Sequence, residues 1–309
     1  MKWTTFIFAL FVVPVAWAQP DFPVLWLGSN ALSVGIPGNS YANIKSVVQI
    51  PFEIKGGLIV VNGAIDGAPG RFVFDTGSPS YLINQPEAGG IEAELLMGLG
   101  QSRAATRIQV KELAWAMRRA ASLNAFALDL AHIERLTREK LLGIIGAEGL
   151  GDYEILFHFE KQVLVARPGG GDYPDHILKE KIPFNMMGHL PVITLQVNGK
   201  KLRFGIDSGA SVNVMDKLTA KRMKSRLTEL PREAIINDIN NKTERVKCVA
   251  ASEITCQHGD FAPSDFYLLD LDALKEAYDY PIDGLLGIPF LRQNGISIDF
   301  KEQVLYFNK

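Results

Sequence analysis

Two short runs in this 309-residue chain carry side chains that could work together: Asp75-Thr76-Gly77-Ser78 and Asp207-Ser208-Gly209-Ala210. Either run alone is ordinary turn chemistry, because Gly takes backbone conformations closed to other residues and Asp bonds its own backbone. Two carboxylates within hydrogen-bond range of each other are a different matter. They cannot both ionise cheaply, so they share one proton and titrate as a coupled dyad. The ionised group can act as general base on a water held between them, while the protonated partner donates to a carbonyl oxygen. Such a pair hydrolyses a peptide bond through a tetrahedral intermediate with no covalent enzyme adduct. Whether Asp75 and Asp207 meet depends on the segments that carry them.

Those segments repeat. "GLIVVNGAIDGAPGRFVFDTGSPSYLI" surrounds Asp75, and "LPVITLQVNGKKLRFGIDSGASVNVMD" surrounds Asp207. Each reads as an alternating apolar strand, a Gly-containing turn, a second apolar strand, the Asp-x-Gly run, and an apolar stretch after which Asn84 or Asp216 starts the next segment. Further on, "FALDLAHIERLTREKLLGIIGAEGL" corresponds to "YLLDLDALKEAYDYPIDGLLGIPFL", and "ILFHFEKQVLVAR" to "ISIDFKEQVLYFN". The preserved order marks a duplication, and pseudo-twofold symmetry brings equivalent points of duplicated lobes together. On that axis Gly77 and Gly209 would let backbone N–H groups approach the carboxylates. Thr76 and Ser208 offer hydroxyls to brace one loop against the other. Ser78 is placed to bond the outer oxygen of Asp75, and its counterpart Ala210 cannot do the same for Asp207. The expectation is therefore an ionised Asp75 and a protonated Asp207.

The rest of the chain sets the frame. Composition is that of an ordinary globular protein, 47% hydrophobic and 21% charged with a formal charge of −2, and the length suffices for two lobes with real cores. No basic run offers a footprint for nucleic acid, and no phosphate-cradling glycine motif is present. The five histidines, His132, His158, His176, His189 and His258, lack metal-ligand spacing and read as solvated or hydrogen-bonded side chains. No metal or cofactor is expected. "EAYDYP" and "KRMKSR" read as solvated faces or interface edges. Residues 1–18, with Lys2, an apolar run from Phe6 to Val13 and Ala16-Trp17-Ala18, describe a signal peptide cut before Gln19. The mature chain is then exported, to periplasm or medium, without a membrane anchor.

Glycines and prolines in 167–184 mark a linker carrying a short helix. They place a boundary near residue 175, between an N-terminal lobe (19–175) and a C-terminal lobe (176–309). Both lobes read as mainly β, with helices over 129–140, 216–226 and 270–278. Cys248 and Cys256 form either a disulfide or two free thiols.

The paired Asp-x-Gly runs, together with Leu141-Leu142-Gly143 and Leu285-Leu286-Gly287, resemble the pepsin/retropepsin-like aspartic peptidases over roughly residues 50–308. "DGLLGIPFL" is most similar to the bacterial and retroviral-like branch. The resemblance implies a bilobal, pepsin-like β fold of two duplicated barrel-like lobes with a few short helices. It implies an aspartic endopeptidase with Asp75 and Asp207 as catalytic residues, supported by Thr76, Gly77, Ser78, Ser208 and Gly209. Substrate would be a peptide or protein bound extended in the cleft of a monomer, with apolar residues flanking the cleaved bond. The Ser78/Ala210 difference points to an optimum less acid than pepsin's. A flap is expected around "LLMGLGQSRAATRIQVKEL", hinged by Gly98 and Gly100 but without the Tyr that pepsins carry there. Residues 19–46 hold one Lys and no Arg, which makes a poor inhibitory prosegment. The rival reading is a lapsed peptidase of the same fold that serves as a periplasmic binding or regulatory module.

Overall fold

The strand leading into each Asp-x-Gly run ends in three consecutive buried residues, Phe72-Val73-Phe74 in one half and Phe204-Gly205-Ile206 in the other. A strand without polar alternation needs cover on both faces. In the computed structural model that cover comes from a closed barrel in the first half and from a second sheet in the other. The structure describes residues 47–87, 93–97, 102–115, 118–148, 150–173, 180–237 and 243–307, with two short strand segments at 6–8 and 31–32.

In the first half the barrel uses β1 (Leu58–Ile65), β2 (Ala68–Phe74), β3 (Leu82–Asn84), β4 (Ser102–Trp115), β5 (Arg118–Leu128) and β6 (Leu141–Ile145). Its order is β1-β2-β6-β3-β5-β4, and pairing of Gly63 to Ile65 with Leu113 to Trp115 closes β4 back onto β1 as a six-stranded barrel. The second half uses β7 (Leu190–Val197), β8 (Lys200–Ile206), β9 (Val214–Asp216), β10 (Thr243–Ala251), β11 (Ser264–Leu269) and β12 (Gly284–Leu286) in the order β7-β8-β12-β9-β11-β10. Every pairing keeps its sense. β2–β6 and β8–β12 are parallel, β6–β3 and β12–β9 antiparallel, and β3–β5 and β9–β11 parallel. The duplication read from sequence is thus a duplication of topology.

The halves also share a sheet. Val48–Lys55 pairs with Val163–Pro168, which pairs with Tyr153–His158. The last of these pairs with Ser297–Asp299 from the second half, continuing through Val304–Phe307 to Glu180–Pro183. Glu154 and Arg167 form a buried bidentate pair in it, at 3.0 and 2.7 Å, and the Ser297 hydroxyl also donates to Glu154.

Four short helices are α1 (Ala131–Thr137), α2 (Lys217–Arg222), α3 (Asp272–Tyr278) and α4 (Ile288–Asn294). The first three fall within the expected ranges. The Asp216 side chain accepts the Thr219 N–H at 3.0 Å to cap α2. The fourth lies outside those ranges. It is a helix because Pro289 suits its first turn and Gly295 ends it in a left-handed conformation, φ +57°. Among the described residues, no helix is long and apolar enough to cross a membrane. The expected signal peptide, apart from the strand at 6–8, lies outside the described residues. So do the flap glycines Gly98 and Gly100 and the core of the linker, 174–179. The strands flanking those glycines are described, with Met97 opposite Ser102 and Ala93 opposite Thr106.

Candidate active site

β2 delivers Asp75 and β8 delivers Asp207 to the same buried point. Each Asp N–H is tied to the neighbouring parallel strand, Asp75 to the Ile145 carbonyl at 2.9 Å and Asp207 to the Leu286 carbonyl at 3.0 Å. These bonds fix the register of the downstream elements and correct one sequence pairing. Leu141-Leu142-Gly143 is not the counterpart of Leu285-Leu286-Gly287; Gly143-Ile144-Ile145-Gly146 is the counterpart of Gly284-Leu285-Leu286-Gly287. Gly143 and Gly284 each lie where a Cβ would strike the carbonyl of Leu82 or Val214, and Gly146 and Gly287 pack on the Ser78 and Ala210 carbonyls. Two apolar residues before a glycine occur twice within 141–146, so matching the runs by type slips by three.

The two loops grip each other reciprocally. The Thr76 N–H donates to Ser208 Oγ at 2.9 Å, and the Ser208 N–H donates to Thr76 Oγ1 at 3.0 Å. The Ser208 hydroxyl passes its own proton to the Phe74 carbonyl at 3.2 Å. Gly77 has no Cβ because the Asp207 carboxylate occupies that space, and Gly209 faces the Asp75 carboxylate in the same way. All four of Asp75, Thr76, Asp207 and Ser208 are fully buried. The expected bracing by Thr76 and Ser208 and the close approach at both glycines are present in the geometry.

The carboxylates are solvated by backbone. Asp75 Oδ1 accepts the Gly77 N–H at 2.8 Å and the Ser78 N–H at 3.1 Å, while Asp207 Oδ1 accepts the Gly209 N–H at 2.8 Å. Burial holds the Asp207 carboxyl well above the usual carboxylate range. The neighbouring charge of Asp75 adds to this, and the Gly209 and Gly77 N–H groups only partly oppose it.

Ser78 differs from its expected role. Its hydroxyl donates to the Ser80 carbonyl at 3.0 Å, and only its backbone N–H reaches Asp75. A hydroxyl has one proton to give, so the proposed Ser78 contribution to an asymmetric dyad is not made by its side chain. Cys248 and Cys256 are free thiols rather than a disulfide. Cys248 lies opposite Leu230 and Tyr267, and Cys256 sits on another strand opposite Gly259.

Two residues given no chemistry in the sequence lie against the site. His189 is buried, and its Nε2 is 2.6 Å from the Gly77 carbonyl oxygen. Tyr278, from the "EAYDYP" run read as a solvated face or interface edge, is half-buried with its ring centroid 6.3 Å from that of His189. Burial pushes the Tyr278 hydroxyl well above the ordinary tyrosine range, and the charge of Asp207 adds to the rise. Periodicity could not have marked either one, since His189 meets the Gly77 carbonyl from 112 residues along the chain and Tyr278 meets His189 from α3. Farther off, Asp216, Asp270 and Asp272 cluster, with Lys275 Nζ 2.9 Å from both Asp216 and Asp272.

Residues 193–290, which carry Asp207, match the family described as aspartyl protease, a retropepsin-like likeness confined to the C-terminal third. Its similarity is to the DDI1 proteins. Protein DDI1 homolog 1 of Homo sapiens is 32% identical over 115 residues, 37% of this chain and 26% of that protein. Protein DDI1 homolog 2 of Danio rerio is 30% identical over 114 residues, 37% of this chain and 25% of that protein. The chain thus spans about a quarter of the length of the curated relatives it matches.

Proposed function

We propose that the chain is a bilobal, pepsin-like aspartic endopeptidase in which Asp75 and Asp207 form the catalytic dyad. The observation that carries this reading is the reciprocal Thr76–Ser208 grip, which holds two buried carboxylates, each against the other loop's glycine. Asp75, with two backbone N–H donors on one oxygen, acts as general base on a water. Asp207 donates its proton to the carbonyl oxygen of the scissile peptide. The tetrahedral diol then collapses: the proton taken by Asp75 passes to the leaving nitrogen, and Asp207 regains its own as the carbonyl re-forms. Extended substrate would lie under the hairpin whose flanks are 93–97 and 102–106, adding backbone hydrogen bonds as a strand does. The N-terminal segment supports export before the enzyme acts.

Purified mature protein incubated with a diverse peptide mixture from acid to neutral pH should give internal cleavages. D75N should reduce these by about a thousandfold or more while keeping the fold. Equal cleavage by wild type and D75N, or none by the wild type at any pH, would favour a binding module on the same fold.

A further inference from the structure

The Gly77 carbonyl and the Ser78 N–H belong to one peptide group, and that group is held at both ends. Its N–H donates to Asp75 Oδ1 at 3.1 Å, and its carbonyl oxygen lies 2.6 Å from His189 Nε2. A carbonyl only accepts, so Nε2 carries the hydrogen and His189 is the donor. Donation to a carbonyl polarises the amide and strengthens its N–H as a donor, so the two bonds reinforce each other. We propose that His189 is a positioning residue for the dyad. It orients and polarises the Gly77–Ser78 peptide and so makes Asp75, rather than Asp207, the carboxylate that carries the charge.

The pseudo-twofold mate lacks this device. His189 stands immediately before β7, after Gly188 at φ +62°, and the same turn before β1 is Gly56-Gly57, with φ of +57° and +82°. Gly57 has no side chain to give, and a Cβ there would meet Ser211 Cβ at 2.8 Å. The first half's turn therefore touches the second loop through backbone alone. The Ala210 N–H, counterpart of the Ser78 N–H, is bonded to the main-chain carbonyl of Asp207 at 3.2 Å, as the Ser78 N–H is to that of Asp75 at 3.1 Å; what the first loop adds is the reach of the Ser78 N–H to Asp75 Oδ1.

Other titratable groups near this relay are accounted for. Asp207 faces Asp75 across the axis, and Tyr278 of α3 faces His189 and stays neutral through ordinary pH. Glu148 accepts the Ser80 hydroxyl at 2.7 Å, next to Ala147, whose N–H is bonded to the Ser78 carbonyl.

The role rests on the peptidase reading for its kinetic consequence, but its effect on the carboxyls can be read without turnover. H189L fills the site without a donor, whereas H189Q keeps a terminal N–H at similar reach. In the full chain, H189L should lower kcat about tenfold with KM little changed, and H189Q should restore most of the loss. A 13Cγ titration of the aspartates should show the dyad's acid limb moved up by roughly half to one pH unit in H189L and not in H189Q. If H189L does not fold, H189F against H189Q makes the same comparison. Wild-type kcat and titration in H189L, or H189Q no better than the donorless variant at equal thermal stability, would overturn the proposal. A wild type that titrates as expected yet cleaves nothing would instead sink the peptidase reading and leave the His189 relay standing.

Discussion

Asp207 keeps its proton in the fold because it is buried beside the charge of Asp75. In the unfolded chain it ionises near the ordinary value of about 3.9. Between that pH and the higher pH at which it ionises in the fold, the folded protein binds one more proton than the unfolded chain. Stability from this group is therefore fully present below about pH 4 and falls as pH rises, by about 1.4 kcal/mol per pH unit, until the folded carboxyl ionises. D207N has no proton to lose. Its amide can accept the Gly209 N–H through Oδ1, as the carboxyl does now, and donate toward Asp75. Urea unfolding of wild type and D207N at steps between about pH 4 and pH 7 gives the difference in unfolding free energy directly. That difference should move in favour of D207N with rising pH, at an initial slope near 1.4 kcal/mol per unit. Parallel profiles across the window would show that Asp207 titrates alike in both states. The argument from burial and like charge would then fail.

Substitutions at two further places probe how the halves are joined. S208A removes the acceptor of the Thr76 N–H and leaves that donor buried and unpaired; the expected cost is about 1–3 kcal/mol by urea midpoint, with T76A similar by symmetry. R167M removes the guanidinium that faces the buried Glu154 carboxylate in the sheet that both halves share. It should destabilise by about 3–5 kcal/mol, while the double variant R167M/E154L should recover much of that loss. A single-variant effect under about 1 kcal/mol would mean the pair is already solvated.

Much of this fold could be read from the sequence because the repeat multiplies weak signals. One Asp-Thr-Gly is a turn; the same turn after the same hairpin in a second copy is a constraint on space. The strand order β1-β2-β6-β3-β5-β4 and its mate β7-β8-β12-β9-β11-β10 follow from that constraint, and so does the meeting of Asp75 with Asp207. Local signals also sufficed for α1, α2 and α3. They slipped where the Leu-Leu-Gly runs were matched by type, although pairing 126–150 with 267–291 end to end already sets Gly143 against Gly284, the register that the Asp75–Ile145 and Asp207–Leu286 bonds fix. The shared sheet was not legible, because pairing of 153–158 with 297–299 carries no local mark.

The least legible feature is the one on which acid–base chemistry depends. A duplicated scaffold makes two nearly equivalent carboxylates, yet a general base and a general acid must differ in charge. The difference has to come from positions where the copies disagree. Ser78 against Ala210 was the visible candidate, since those residues adjoin the dyad, but the Ser78 hydroxyl is turned to Ser80. The disagreement that reaches a carboxylate is His189 against Gly57, separated from Gly77 by 112 residues and acting through a peptide group. In a repeat protein with a paired site, the search for asymmetry therefore belongs at each mismatched position that folds back on the opposite loop. The residues flanking the motif are only part of that set.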